Sequence, residues 1–145
     1  MSSNSIATLQ QAFTLPCGVI VPNRIVKSAM SENNADKGAC PSKSIIQLYE
    51  RWGQGGAGIL ITGNVMIDRR ALGEPRNVVV EDERHLTELA EWAERAQYNG
   101  TQLWMQINHP GRQAPNINKE VVSPSDLRYI HKKTKFIDKF VIFLK

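Results

Sequence analysis

The sequence has little that would mark a secreted, membrane or metal-binding protein. Its apolar runs fall far short of the ~18 residues that a membrane span needs. Residues 1–14 have neither the basic nor the apolar segment of a secretory signal. The only two cysteines, Cys17 and Cys40, form no CxxC or other metal-ligand spacing, which is typical of the reducing cytosol. We therefore expect a cytoplasmic protein with no metal and no membrane span.

The chain is also short for some folds, and its charge is unevenly distributed. A complete (β/α)₈ barrel needs ~250 residues, which 145 residues do not supply. The formal charge of +4 comes from residues 128–145, which hold six of the eighteen basic residues and one of the fourteen acidic ones. We therefore divide the chain into a nearly neutral body, residues 1–127, and a basic tail, residues 128–145. No nucleic-acid partner is expected for the body.

The tail mixes basic and aromatic residues and admits two interpretations. Its apolar residues could form one face of a short basic helix, and they are Phe136, Ile137, Phe140, Val141 and Leu144. Such a helix would contact a membrane surface, a nucleic acid or a partner protein. Alternatively, the tail is an extension that is not native to the fold of the body.

The body alternates strand-like and helix-like segments. Residues 13–21 predict a hairpin, and residues 24–30, 57–62 and 101–107 predict three strands. Ser42 is expected to cap a helix whose apolar stripe includes Ile45, Tyr49 and Trp52, and which ends at Gly53, Gly55 and Gly56. Asp82 is expected to cap a second helix, with Leu86, Leu89, Ala90, Ala93 and Ala96 along its apolar side. Helices between successive strands predict a parallel α/β sheet.

The alternation alone does not distinguish an open doubly wound sheet from an incomplete barrel. No GxGxxG follows the first strand, which argues against a dinucleotide-binding Rossmann fold. In both folds ligands collect at the carboxyl ends of the strands, where this chain has amides, hydroxyls and backbone groups. No paired carboxylates and no nucleophile beside a base occur there. This composition favours a face that binds a cofactor, since the cofactor then supplies the reactivity.

Three motifs at the predicted strand ends resemble one known family. They are Pro22-Asn23-Arg24-Ile25-Val26 with Ser28-Ala29-Met30, then Tyr49 and Gly56-Ala57-Gly58-Ile59-Leu60-Ile61-Thr62, then Gln106 with His109-Pro110-Gly111-Arg112. In this order they resemble the Old Yellow Enzyme family of FMN-dependent NAD(P)H oxidoreductases. The resemblance covers about residues 13–126. It implies an α/β fold that is the N-terminal portion of a (β/α)₈ TIM barrel, incomplete and with about three βα units.

The resemblance also implies a set of cofactor-binding residues: Ser28, Ala29, Met30, Ser31, Asn64 and Gln106. By position, residues 28–30 would lie against FMN chiefly through backbone groups. Asn64 takes the place of a small residue whose backbone approaches the flavin. Gln106 matches a glutamine whose amide bonds the pyrimidine edge of the flavin, and the hydroxyl of Ser31 would adjust the flavin potential.

One functional motif of the family is absent. A histidine followed three residues later by histidine or asparagine grips the acceptor carbonyl in the family, whereas His131 is followed by Lys132-Lys133-Thr134. No catalytic residue is therefore assigned. The resemblance implies an enzyme that passes a hydride from NAD(P)H through FMN to an activated alkene or similar small-molecule acceptor. We expect this chain to be a truncated, inactive fragment that binds FMN weakly, because three strands leave an open edge and exposed apolar faces. The alternative is a non-catalytic module whose tail contacts a partner.

Overall fold

A computed structural model describes the backbone of residues 3–111 and 140–144 and the side chains of residues 6–111. Within these residues the chain forms helices and strands in this order: α1 (Ser3–Gln10), β1 (Phe13–Thr14), β2 (Ile20–Val21), β3 (Val26–Lys27), α2 (Lys43–Gln54), β4 (Ile59–Met66), β5 (Val78–Val79), α3 (Leu86–Ala96), β6 (Gln102–His109) and β7 (Phe140–Leu144).

The predicted hairpin and the parallel sheet are both present. β1 and β2 pair antiparallel, with Phe13 opposite Val21, and Gly18 takes the positive φ of +85° that their turn requires. β3, β4 and β6 pair parallel in that order, and β5 pairs parallel with the far end of β4. Because parallel neighbours need crossovers, α2 lies between β3 and β4 in the chain and α3 lies between β5 and β6.

The predicted bounds of all three parallel strands need correction, and the third, expected over residues 101–107, is Gln102–His109. The first strand, expected over residues 24–30, is only Val26–Lys27, the two residues that lie in register with Ile59 and Leu60 on β4. The strand expected over residues 57–62 begins at Ile59 and continues to Met66. Its register against β6 shifts between Ile61 and Asn64, but the strand does not end at this irregularity and continues through Gly63. This continuation places Asn64 inside the sheet.

The start of α2 was predicted correctly, and so was its end at Gly55, which is the C-cap; only Gly53 was placed wrongly. Ser42 caps the helix, and its Oγ accepts a hydrogen bond from the Ile45 N–H at 3.3 Å. Gly53 does not end the helix but lies buried within it, since α2 continues to Gln54. A Cβ on Gly53 would overlap the backbone carbonyl of Ala96. Glycine therefore lets α2 approach the end of α3 closely.

The cap and the apolar side predicted for α3 need correction. The helix begins at Leu86, and the residue before it is His85, which makes no side-chain cap bond. Asp82 instead accepts from the Arg84 N–H at 3.0 Å within a separate turn. Leu86 is 56% exposed, and the buried residues of the helix are Trp92 and Ala96. The large indole outweighs the alanines because it fills the space between the helix and the sheet.

The core lies between the sheet and the helices α2 and α3. Tyr49 is its centre, with its ring edge-on to Trp52 at 4.8 Å and to Trp92 at 5.1 Å between ring centroids. The buried aliphatic members are Ala35, Ile45, Ile46, Leu60, Val65, Val78 and Ala96. On β6, Leu103 and Met105 pack against this core. The alternate positions of that strand, which include Gln106 and Asn108, face the other side of the sheet.

The tail contributes a strand to the sheet. β7 pairs antiparallel with β6, from Phe140 opposite His109 to Leu144 opposite Met105. The helix predicted through Phe140, Val141 and Leu144 is therefore wrong for residues 140–144, and the edge of β6 that was expected to be open is paired. Without β7, the edge of β6 would present unpaired backbone N–H and C=O groups. A strand can pair with these groups, whereas a helix uses its own backbone groups internally.

The remaining predictions for the tail lie outside the described residues, as do the boundary at residue 127 and His131. These predictions therefore stay predictions. Among the helices that the structure describes, none is long and apolar enough to cross a membrane.

Candidate functional site

The candidate site lies where the carboxyl ends of β3, β4 and β6 meet. The parallel register brings Asn64 on β4 opposite Gln106 on β6, and Met66 opposite Asn108. The segment that follows β3, residues 28–31, runs beside the same end of β4. Three segments that are far apart in the sequence thus supply polar groups to one edge of the sheet.

Three buried side-chain amides form a connected cluster at this edge, which we call the amide cluster: Asn64, Gln106 and Asn108. The Oδ1 of Asn64 accepts from Gln106 Nε2 at 2.6 Å and from Asn108 Nδ2 at 2.7 Å. The Nδ2 of Asn64 donates to the Ser31 Oγ at 3.1 Å. Asn64 and Gln106 are each 9% exposed and Asn108 is 2% exposed. The cluster therefore links three of the predicted cofactor-binding residues: Ser31, Asn64 and Gln106.

The amide cluster has hydrogen-bonding capacity left over. The Oδ1 of Asn108 is buried and has no hydrogen-bond partner among the described residues. A buried acceptor without a partner costs about 1–3 kcal/mol, so such an atom points to a ligand or water that completes it. Sequence reasoning did not select Asn108. The available signal was its spacing of two residues from Gln106, which puts both side chains on one face of a strand.

The segment after β3 leaves its side chains uncovered. Ser28 and Ser31 are exposed, Ala29 is half-buried, and Met30 is 52% exposed. The carbonyl of Met30 lies so close to Gly63 that a Cβ there would overlap it. The absence of a side chain on Gly63 therefore lets this segment approach β4.

Beneath this segment lies a charged network that the sequence did not predict, formed by Lys27, Glu32 and Tyr49. The Tyr49 hydroxyl donates to Glu32 Oε1 at 2.5 Å and accepts from the Gly63 N–H and from Lys27 Nζ, each at 3.1 Å. Lys27 Nζ also donates to the Ile61 carbonyl at 2.9 Å and lies 3.6 Å from Glu32. The network ties the loop after β3 to α2 and to Gly63, the neighbour of Asn64.

Burial sets the protonation of this network. Burial first, and then the hydrogen bond to Glu32, raise the pKa of Tyr49 well above its ordinary value. Burial also lowers the pKa of Lys27, against the opposing attraction of Glu32. The phenol therefore stays protonated and donates to the carboxylate. Its role is to hold the loop, and it is not poised to release a proton.

The third strand ends in a turn that involves His109. Its Nδ1 accepts from the Gly111 N–H at 3.1 Å. His109 is half-buried and lies one residue beyond Asn108. Arg112, the last residue of the motif at this strand end, lies outside the described residues.

A parallel sheet with helical crossovers and a polar edge at its carboxyl ends is the architecture of α/β barrels. The solved structure of the Old Yellow Enzyme homologue from Zymomonas mobilis superposes on 91% of this chain with a TM-score of 0.71 and 19% identity, using 38% of its own length. The fold is therefore the N-terminal portion of a (β/α)₈ barrel, and the described strands do not close it.

Residues 17–143 match the NADH:flavin oxidoreductase / NADH oxidase family, and the chain belongs to this family. The NADH-dependent flavin oxidoreductase iliE of Hypocrea jecorina is 42% identical over 106 residues, which are 70% of this chain and 26% of that protein. The NADH-dependent flavin oxidoreductase iccE of Talaromyces variabilis is 35% identical over 111 residues, which are 74% of this chain and 27% of that protein. The chain thus spans about a quarter of the length of these relatives.

Proposed function

We propose that this chain supplies the flavin-facing N-terminal part of an FMN-dependent NAD(P)H oxidoreductase of the Old Yellow Enzyme type. The substrate would be a small acceptor such as an activated alkene. The observation that carries the proposal is the amide cluster at the carboxyl ends of β4 and β6, with the unpartnered Oδ1 of Asn108. Membership of a flavin oxidoreductase family supports the choice of ligand.

The residues at this edge suit the pyrimidine end of a flavin. That end alternates carbonyl and N–H groups, and side-chain amides both donate and accept. Gln106 and Asn108 would bond this edge, while Asn64 and Ser31 would orient them through the contacts they already make. The backbone of residues 28–30 would lie along the ring system. When bound, the flavin supplies the redox chemistry between NAD(P)H and the acceptor, and the chain supplies position and hydrogen bonds.

The described part of the site would cover only one side of a bound flavin. Small-molecule sites bury about 70–90% of the ligand surface, whereas Met30 is 52% exposed and Ser28 and Ser31 are open to solvent. We therefore propose that these 145 residues alone bind FMN weakly and do not turn over NAD(P)H. The cysteine usage, with Cys17 and Cys40 both free, supports a cytoplasmic location.

FMN titration of the purified chain tests the proposed site. Saturable, weak quenching of flavin fluorescence is expected, and Gln106→Ala should weaken binding about 2- to 13-fold, since one hydrogen bond contributes about 0.5–1.5 kcal/mol. Gln102→Ala is the matched control, because that amide lies at the other end of β6 and donates to the Gly100 carbonyl at 3.0 Å. The control should leave binding unchanged.

Side-chain amide resonances provide a second measurement that does not depend on fluorescence. Millimolar FMN should shift the amide signals of Asn64, Gln106 and Asn108 and leave that of Gln102 in place. Equal shifts across all glutamines and asparagines, or none, would contradict the assignment of the site. Separately, a stoichiometric flavin absorbance in the purified chain would contradict weak binding while leaving the site itself in place.

A further inference from the structure

Three metal-ligating side chains meet at the start of α3: Cys40, His85 and Glu88. Their donor atoms all lie within 4.8 Å of one another. Cys40 belongs to the loop before α2, His85 precedes α3, and Glu88 lies in the first turn of that helix. None of the three takes part in the amide cluster or in the Lys27 network.

The loop that carries Cys40 is well anchored. The Oδ1 of Asp36 accepts from the N–H groups of Gly38 at 2.8 Å and Cys40 at 2.9 Å. The Ala39 carbonyl accepts from the Val79 N–H at 2.9 Å, which fixes the loop to β5. Cys40 is 4% exposed. Its thiol is therefore held in place by backbone contacts on both sides.

The imidazole of His85 has a coordinating nitrogen without a partner. Its Nε2 is buried and makes no hydrogen bond within the part of the chain that the structure describes. His85 and Glu88 are three residues apart at the helix start, so their side chains lie on the same face. Both residues are half-buried, which leaves the cluster a path to solvent. A buried imidazole nitrogen beside a thiol and a carboxylate is a typical arrangement for a metal ligand.

We propose that Cys40, His85 and Glu88 bind one Zn²⁺, with the fourth position open to solvent. Thiolate, imidazole and carboxylate are the three donor types that zinc takes in proteins, at about 2.0–2.3 Å. Tetrahedral bonds of that length place ligand atoms roughly 3.3–3.7 Å apart, so no pair of donors needs to close by more than about 1.5 Å. The flexible side chain of Glu88 and a rotation of the His85 ring can supply this movement.

Two carboxylates, those of Glu88 and Asp36, act electrostatically on the Cys40 thiol. A divalent cation would stabilise the thiolate directly and would offset both carboxylates. Bound zinc would fasten the loop of residues 36–40 to the start of α3. The cysteine spacing did not predict this site because Cys40 lies 45 residues from His85 and 48 residues from Glu88 in the chain.

Titration of the reduced, full-length chain with Co²⁺ as a spectroscopic substitute for Zn²⁺ tests the proposal. One equivalent should produce a thiolate-to-cobalt absorption band, which added Zn²⁺ abolishes. Cys40→Ser should remove the band, and Cys17→Ser, the matched control at an exposed cysteine, should retain it. Glu88→Gln should lower Zn²⁺ affinity more than about 100-fold, since even partners outside the coordination sphere contribute 10–100-fold.

The companion control is Glu91→Gln, which removes an exposed carboxylate of the same helix and should leave the affinity unchanged. Circular dichroism of each variant checks that it folds. The Glu88 variant keeps the test decisive if Cys40→Ser unfolds, because Glu88 is only half-buried. No band in the parent chain, a band that survives Cys40→Ser, or equal affinities for the Glu88 and Glu91 variants would each overturn the proposal.

Discussion

Removal of the Tyr49 hydroxyl, a single oxygen atom, should lower the free energy of unfolding substantially. Tyr49→Phe keeps the ring that packs against Trp52 and Trp92 and deletes only the oxygen. That oxygen donates to Glu32 and accepts from Gly63 and Lys27. In the variant, Lys27 would still donate to the Ile61 carbonyl, and Glu32 would still form its ion pair with Lys27 at 3.6 Å. The Gly63 N–H loses the partner it has in this structure.

The magnitude follows from what is left behind. A buried N–H without a partner costs about 1–3 kcal/mol, and a hydrogen bond to a charged group contributes about 1.5–3 kcal/mol. Because Glu32 is partly compensated by Lys27, we expect Tyr49→Phe to lower the free energy of unfolding by about 2–4 kcal/mol. At roughly 3 °C per kcal/mol, Tm should fall by about 6–12 °C.

Urea and thermal unfolding, followed by circular dichroism, measure this change. Tyr98→Phe is the matched control, because Tyr98 is 48% exposed, and it should stay within about 0.5 kcal/mol of the parent chain. Glu32→Gln combined with Tyr49→Phe should cost less than the sum of the single changes, since both remove the same contact. A Tyr49→Phe chain within about 1 kcal/mol of the parent, or full additivity of the pair, would refute the argument that this network holds the loop.

Two further predictions concern the same helices. Gly53→Ala should destabilise the chain by about 1–2 kcal/mol in urea unfolding, because the overlap with Ala96 outweighs the usual gain of about 1 kcal/mol in helix propensity. Gly55→Ala, at a φ of −70°, should not destabilise the chain. Equal losses of stability in the two variants would contradict the close approach of α2 and α3. Since the pKa of Tyr49 is raised above 10.0, the folded chain retains a proton that the unfolded chain loses. The contribution of Tyr49 to stability should therefore be fully present below pH 10 and be lost as the pH rises above it. Above pH 10 the free energy of unfolding should fall more steeply with pH in the parent chain than in Tyr49→Phe, and identical slopes would contradict this.

Sequence patterns predicted correctly those features of the fold that depend on residues close together in the chain. The N-cap at Ser42 depends on a side chain three residues from its backbone partner, and the hairpin depends on the turn at Gly18. Alternating strands and helices gave the parallel order, because parallel pairing requires crossovers. Asp82 failed as a cap because an adjacent turn competed for its carboxylate, which accepts from Arg84.

The candidate site depended on contacts that no local pattern contains. Asn64 and Gln106 were assigned through resemblance, and their hydrogen bond joins residues 42 apart in the chain. The sequence shows that both lie near strand ends, but only the register across β4 and β6 places them opposite each other. The Lys27, Glu32 and Tyr49 network and the three residues proposed to bind zinc were missed for the same reason. Each set combines residues from separate elements that meet only in the folded chain.

The position of β7 bears on what this part of the barrel can do. A (β/α)₈ barrel contains parallel strands only, whereas β7 runs antiparallel along β6, so it pairs with the stretch from Met105 to His109 without extending the barrel. β7 begins opposite His109, next to the carboxyl end where the amide cluster lies. At the other side of the sheet, Val26 on β3 is 48% exposed. The described strands thus present a polar edge with covered backbone on one side and exposed apolar surface on the other. Such a surface can orient a flavin but cannot enclose it, which is why we expect weak binding at a correctly formed edge.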